Sequence, residues 1–248
     1  MTDAKIPLNI AHRGASGYYP ENTMLAFNEA IKAKADVLEL DLQLTADERV
    51  VVFHDGSVDR IFRTQTGKSI NFFSLEQLKE KDVGSWFKPQ YVGMKIPTLE
   101  EVIDNLPEQT SMILELKSTE EELVNLVTSI LEDRNKSLGL GYISVRDIQT
   151  LNHVRNISTN YMIGLMQKNR TPEEMLSIID SEKIDVAQIR WRNWTDENWK
   201  MLSDKKIVVT AFFADEMKDY SFLFSKGVDG ILTNYPFKLA KFIENLKV

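Results

Sequence analysis

The run Val37-Leu38-Glu39-Leu40-Asp41-Leu42-Gln43-Leu44, then Thr45-Ala46-Asp47-Glu48-Arg49, then Val50-Val51-Val52-Phe53-His54-Asp55, governs how the rest of the chain is read. Residues two apart on a strand face the same way, so Glu39 and Asp41 converge on one side of an otherwise apolar strand. Burying a charge without a partner costs several kcal/mol as a rough scale, so two acids in such a run need a reason. The five residues that follow are too few for a parallel crossover, which takes about a dozen. They form a hairpin. Pairing Thr45 with Val50 puts Asp41 opposite His54, to within one residue of register.

Outward from the hairpin, short β-branched runs alternate with longer amphipathic stretches. Strands are expected at Leu8–Ala11, Val37–Leu44, Val50–Phe53, Met112–Leu116, Tyr142–Val145, Met162–Leu165, Val186–Ile189, Ile207–Phe213 and Gly230–Leu232. Helix-start signals precede three of the intervening stretches: Thr98-Leu99-Glu100-Glu101, Thr119-Glu120-Glu121-Glu122 and Thr171-Pro172-Glu173-Glu174. Strand–helix alternation argues for a mostly parallel sheet. Eight or nine strands in 248 residues favour closure into a TIM-type (β/α)8 barrel, and no strand is followed by a Gly-rich nucleotide loop. Residues 1–248 are therefore read as one α/β domain. The segment at about 56–97, after the third strand, holds Phe72, Phe73, Trp86, Phe87 and Tyr91 with a short helix starting at Ser74. It is too aromatic for a plain loop and reads as a small insertion packed over one end of the barrel, roofing the site.

Composition removes several classes of function. Hydrophobic residues make up 43% and charged residues 27%, as in ordinary globular proteins. The net charge of −7 gives a nucleic-acid partner no global support. With no cysteine there is no disulfide framework, thiolate metal site or cysteine nucleophile. Met1-Thr2-Asp3-Ala4-Lys5-Ile6-Pro7 lacks the apolar core of a signal peptide, and no run of about 18 apolar residues encodes a membrane span. A cytoplasmic protein without stable membrane insertion is the expectation; oligomeric state is not legible.

The polar signatures point to one chemistry. Glu115-Leu116-Lys117 follows Met112-Ile113-Leu114, so Glu115 and Lys117 share a face of another strand. Glu39, Asp41 and Glu115 suit one oxygen-loving divalent cation, Ca²⁺ or Mg²⁺, better than zinc. Salt bridges at a barrel rim are the plain alternative. His12 and His54 each end a strand, where barrel enzymes place their chemistry, and histidine titrates near neutrality. Arg13 offers a planar fork and Lys117 a point charge for phosphate oxygens, while Gly14 allows a close turn. His153, mid-helix and alone, reads as structural.

As an ordered set these residues resemble the glycerophosphodiester phosphodiesterase family. The matching runs are His12-Arg13-Gly14, Pro20-Glu21-Asn22-Thr23, Glu39-Leu40-Asp41, Thr45 with Asp47, His54-Asp55, Asp59-Arg60, Gly84-Ser85-Trp86-Phe87, Ile96–Glu101, Glu115-Leu116-Lys117 and Gly227–Pro236. The resemblance implies a TIM-type barrel with an insertion after the His-Asp motif. It implies Glu39, Asp41 and Glu115 as metal ligands, His12 and His54 as base and acid, and Arg13 and Lys117 as phosphate ligands. The implied reaction hydrolyses a glycerophosphodiester, such as glycerophosphocholine or glycerophosphoethanolamine, to glycerol 3-phosphate and an alcohol. The sequence leaves open which histidine is which; we take His12 as base and His54 as acid.

Three departures fall outside the metal and acid–base positions. Ala211-Phe212-Phe213-Ala214-Asp215 stands where the family shows a Trp-Thr-Val-Asn run, Ile61-Phe62 replace a pair of threonines, and Asn234 replaces an aspartate. The wall of the substrate pocket is thereby altered. Two other readings compete: a related barrel phosphodiesterase with a different head group, and a non-catalytic barrel that binds a phosphodiester or a protein.

Overall fold

The computed structural model describes residues 5–158 and 160–247, so Met1–Ala4 of the leader expectation lie outside the described residues. The strands are β1 (Leu8–His12), β2 (Val37–Leu44), β3 (Val50–Val52), β4 (Ser111–Leu116), β5 (Ile143–Val145), β6 (Ile163–Met166), β7 (Val186–Ile189), β8 (Val208–Ala211) and β9 (Gly230–Thr233). The helices are α1 (Met24–Lys32), α2 (Asp59–Phe62), α3 (Leu75–Lys79), α4 (Leu99–Asn105), α5 (Glu121–Asp133), α6 (Ile148–Ile157), α7 (Pro172–Ser181), α8 (Asp196–Ser203), α9 (Met217–Ser225) and α10 (Pro236–Leu246). Parallel pairing runs β1-β9-β8-β7-β6-β5-β4-β2 and closes through β1–β2, a TIM barrel of eight strands with β3 as an antiparallel addition to β2.

Alternation along each strand sorts the side chains. Leu38, Leu40, Leu42 and Leu44 of β2 face outward into the main core beneath the helices. Ile10, Val37, Ile113, Tyr142, Val186 and Leu232 face inward and fill the barrel. One level up the interior is polar: Tyr142 Oη lies 2.8 Å from Thr210 Oγ1, and Ser144 Oγ donates to Gln188 Oε1 at 2.7 Å. Gly164 makes room for the Tyr142 ring, which would lie 2.4 Å from a Cβ there. At the carboxyl ends of the strands the same inward parity delivers His12, Glu39, Asp41 and Glu115.

The position of β3 carries the site. On one edge of β2, residues 37–42 pair with β4. On the other edge residues 37–39 pair with β1, and residues 42–44 pair with β3. Thus β3 runs back toward the end of β1 along the same edge, which brings His54 toward His12. The register differs by one from the sequence expectation. Leu44 rather than Thr45 pairs with Val50, and the Phe53 N–H donates to Asp41 O at 2.9 Å. The cause is the turn: the Arg49 N–H donates to Thr45 Oγ1 at 2.9 Å while Thr45 N–H donates to Arg49 O at 3.0 Å, closing it one residue tighter.

In most strands an end shifts by one residue, and at two boundaries the contacts show why. The strand expected over Ile207–Phe213 stops at Ala211, because the Phe213 carbonyl leaves the ladder to accept from Trp191 Nε1 at 3.1 Å and Arg192 Nη1 at 2.8 Å. Thr98 and Thr171 cap α4 and α7 as expected, but α5 starts after Glu120 and not at Thr119. There Ser118 Oγ accepts from the Glu120 N–H at 3.4 Å and turns the chain first.

The segment 56–97 contains α2, α3 and two short 3₁₀ turns at Ile70–Phe72 and Pro89–Tyr91. It builds a second apolar cluster from Val58, Ile61, Ile70, Leu78, Val83 and Ile96 against Val51 and Phe53 of the hairpin, with Phe62, Phe73 and Trp86 packed on it. Of the segment's aromatics, Phe62, Phe73 and Trp86 pack on this core, while Phe72 is exposed.

Candidate active site

Asp41 is the hub. Its fully buried carboxylate is 3.0 Å from Lys117 Nζ and 3.1 Å from Arg13 Nε, and it accepts from Asn22 Nδ2 at 2.8 Å. Burial pushes its carboxyl up, but Lys117 and Arg13 outweigh burial and hold it well below the ordinary carboxylate range. Glu115 accepts from Lys117 Nζ at 2.9 Å and from Arg146 Nε at 3.1 Å. Glu39 accepts the Arg13 N–H on Oε2 at 3.0 Å, while its buried Oε1 has no partner among the described residues. Burial first, then the charges of Asp41 and Glu115, push Glu39 well above its ordinary range.

One oxygen each from Glu39, Asp41 and Glu115 lies within 4.8 Å of the other two. Three buried acids so close, one strongly inclined to hold a proton and carrying an orphaned oxygen, fit a hard divalent cation that would neutralise them together. The donor set is all carboxylate oxygen, as Ca²⁺ or Mg²⁺ requires. The structure therefore brings the three sequence-expected ligands together. Arg13 and Lys117 reach the same volume, but their partners here are these acids and Glu21, which is 2.9 Å from Arg13 Nη1.

The two histidines are oriented differently. His12 is buried, with Nδ1 2.7 Å from Asn234 Oδ1. Asn234 is itself fixed, donating from Nδ2 to Asp215 Oδ2 at 2.7 Å and accepting from Ser16 Oγ at 2.9 Å. Burial and then the Arg13 charge lower the His12 pKa well below its ordinary value. His54 Nδ1 lies 2.7 Å from Asp55 Oδ1. Burial pushes the Asp55 carboxyl up, but hydrogen bonds from His54 and Arg60 outweigh it and hold Asp55 well below the ordinary range. With Nδ1 engaged on each ring, Nε2 is left for chemistry. His153 lies apart on α6, its Nε2 3.2 Å from Asn125 Oδ1.

Local backbone explains how the loops fit. Gly14 has φ +79, and a Cβ there would lie 2.6 Å from the Ala26 carbonyl carbon, so α1 packs directly under the His12 turn. Thr23 caps α1 by accepting from the Ala26 N–H at 3.2 Å, which places Glu21 and Asn22 beside Asp41.

Sequence reasoning missed Arg146. It immediately follows β5, and inward parity from Ser144 was the available signal. Glu21, Asn22, Asp55 and Asp215 stood within quoted motifs without an assigned role, since only the folded chain shows what each one holds.

The chain is similar to known proteins in sequence and in fold. Residues 12–238 match the Glycerophosphoryl diester phosphodiesterase family. The chain is 33% identical to a glycerophosphodiester phosphodiesterase of Bacillus subtilis, over 92% of this chain and 84% of that protein. It is 31% identical to one of Caldanaerobacter subterraneus, over 92% of this chain and 94% of that one. Among solved structures, a phosphodiesterase of Oleispira antarctica in complex with the product sn-glycerol-3-phosphate superimposes with a TM-score of 0.85 at 25% identity, covering 96% of this chain and 97% of that one.

Proposed function

The chain belongs to the glycerophosphoryl diester phosphodiesterase family and is an enzyme of that class, and from that premise we propose that it hydrolyses glycerophosphodiesters to glycerol 3-phosphate and an alcohol with one divalent cation and two histidines. Glycerophosphocholine and glycerophosphoethanolamine are substrates of the kind expected. The observation that carries this reading is the buried trio Glu39, Asp41 and Glu115, with an unpartnered Glu39 oxygen, set beside two imidazoles whose Nδ1 atoms are engaged.

Glu39, Asp41 and Glu115 would hold the cation. When bound, it supplies positive charge for the phosphoryl oxygens and lowers the pKa of a coordinated hydroxyl. His12, kept neutral by burial and Arg13, accepts the proton of the nucleophile, either water or the glycerol hydroxyl next to the phosphate. A new P–O bond forms as the bond to the alcohol breaks; where the glycerol hydroxyl attacks, the resulting cyclic phosphate is then opened by water to glycerol 3-phosphate, with the proton transfers reversed. His54 gives a proton to the departing alkoxide, and the Asp55 carboxylate compensates the imidazolium from which that proton comes. Arg13 and Lys117 face the charge that grows on the phosphoryl oxygens.

The direct test measures release of sn-glycerol 3-phosphate from glycerophosphocholine with Ca²⁺ or Mg²⁺ present and after chelation. Equimolar glycerol 3-phosphate and choline, formed only with the ion, is the expected result. Equal turnover after exhaustive chelation would remove the cation from the reading.

A further inference from the structure

The loops after β6, β7 and β8 enclose a pocket of about 360 Å³ on the side of the mouth away from the acids. Lys168, Arg190 and Arg192 supply its charge, Phe212 and Phe213 its apolar wall, and no acid lines it. This concentration of cations stands out in a chain of net charge −7. Arg192 is committed, with Nη2 2.8 Å from Asp219 Oδ2 and Nη1 donating to Phe213 O. Among the described residues, Lys168 and Arg190 have no carboxylate within 4.0 Å.

Exposed lysines and arginines are commonly just solvated. Here the loops that carry them are tied together. Fully buried Gln167 accepts on Oε1 from the Arg190 N–H at 2.8 Å and from Trp194 Nε1 at 2.9 Å, and donates from Nε2 to Arg170 O at 2.9 Å. Arg190 Nη1 donates to Lys168 O at 3.3 Å, and Trp191 Nε1 donates to Phe213 O. The pocket is thus preorganised, and it abuts the chemistry: the Phe213 ring is 4.0 Å from the His12 ring.

We propose that this pocket binds a second phosphoryl group of the substrate, carried a short spacer away from the diester that is cut. The inference rests on the phosphodiesterase reading and specifies the substrate. A cationic head group placed here meets like charge, an uncharged glycerol gains nothing, and a phosphate monoester pairs with both free cations.

The test compares glycerophosphoglycerol with its terminal phosphate monoester as substrates of the wild-type enzyme and of the double variant Lys168→Ala/Arg190→Ala. The wild type should prefer the phosphorylated diester by about tenfold in kcat/KM at low salt, with the preference shrinking as salt screens exposed charge. In the double variant the ratio should fall toward one. No preference in the wild type, or an unchanged preference in the double variant, overturns the proposal. If glycerophosphocholine is cleaved but neither of these diesters is, the proposal is overturned; if none of the three is cleaved, the phosphodiesterase reading has failed and the pocket is judged alone, by calorimetry with glycerol 1,3-bisphosphate against glycerol 3-phosphate. Tighter binding of the bisphosphate by wild type only, again about tenfold, supports the pocket; equal affinities overturn it.

Discussion

The mouth of the barrel has two dissimilar halves. Around β1, β2 and β4, acids and cations are buried and interlocked, with Asp41 alone engaging Lys117, Arg13 and Asn22. Around β6, β7 and β8 the cations are exposed, and among the described residues only Arg192 of the three has a carboxylate partner. Removing one member of a buried pair leaves an uncompensated charge in low dielectric, worth about 3–5 kcal/mol, whereas an exposed pair is worth about 1 kcal/mol or less and yields to salt. The first half is thereby suited to fixing reacting groups, and the second to tuning which substrate enters.

The most severe break in the first half comes from its acids. Glu39→Gln, Asp41→Asn and Glu115→Gln should each lower kcat/KM by about 10³-fold and abolish calorimetrically detected Ca²⁺ or Mg²⁺ binding. Burial, Asp41 and Glu115 raise the Glu39 pKa, so a proton competes with the cation. Wild-type affinity should therefore weaken as pH falls, with proton release on binding. Unchanged affinity in all three variants would leave the trio as salt bridges.

Next in size are the histidines. His12→Ala and His54→Ala should each lower kcat by roughly 10²-fold, with cation affinity much less affected. A diester with a nitrophenol leaving group needs little protonation, so it should rescue His54→Ala and not His12→Ala. The opposite pattern would exchange their roles.

The two halves were unequally legible in the sequence. Strand positions followed from β-branched runs, and Glu39, Asp41, Glu115, His12 and His54 from charges set against apolar strands with period two. All of these are local signals. Arg146 escaped because its meaning lies in a contact with Glu115 across neighbouring strands. The Lys168 and Arg190 pocket escaped for a similar reason: exposed cations 22 positions apart meet only when Gln167 ties their loops together. The one-residue register shift at the hairpin, within the expected tolerance, came from turn geometry set by the Thr45 hydroxyl, which periodicity does not report.

A milder change sharpens the contrast between the two imidazoles. His12 rests on a neutral amide with the Asp215 charge one residue further out, while His54 rests directly on a carboxylate. The swap Asn234→Asp with Asp215→Asn moves that charge into contact with His12 and preserves the hydrogen bonds. The acidic limb of kcat/KM, expected below pH 6.5 in the wild type because burial and Arg13 lower the His12 pKa, should rise by about one unit in the swap. A higher pKa leaves less free base in acid, so activity falls near pH 6 and holds near pH 8. An unmoved limb would mean that His12 is not the base it reports.

The smallest expected effect tests the seam between the insertion and the chemistry. Arg60 on α2 donates from Nε to Asp55 Oδ2 at 2.7 Å and from Nη2 to Glu21 Oε1 at 2.7 Å, and its guanidinium stacks on Trp86 at 4.6 Å. It touches neither His54 nor the acid trio in these contacts, so it acts by holding Asp55 in place under the His54 ring. The side chain is 40% exposed, so its ion pairs contribute about 1 kcal/mol and Arg60→Ala should lower Tm by only a few degrees, roughly 2–4 °C. The loss in kcat should be several-fold, about 3–10, because a looser acid is still an acid. KM should hold. With the nitrophenol diester the defect should vanish, as expected for His54→Ala, since proton donation no longer limits the rate. A defect of equal size on both substrates would show that Arg60 supports the fold of the insertion and not the orientation of His54.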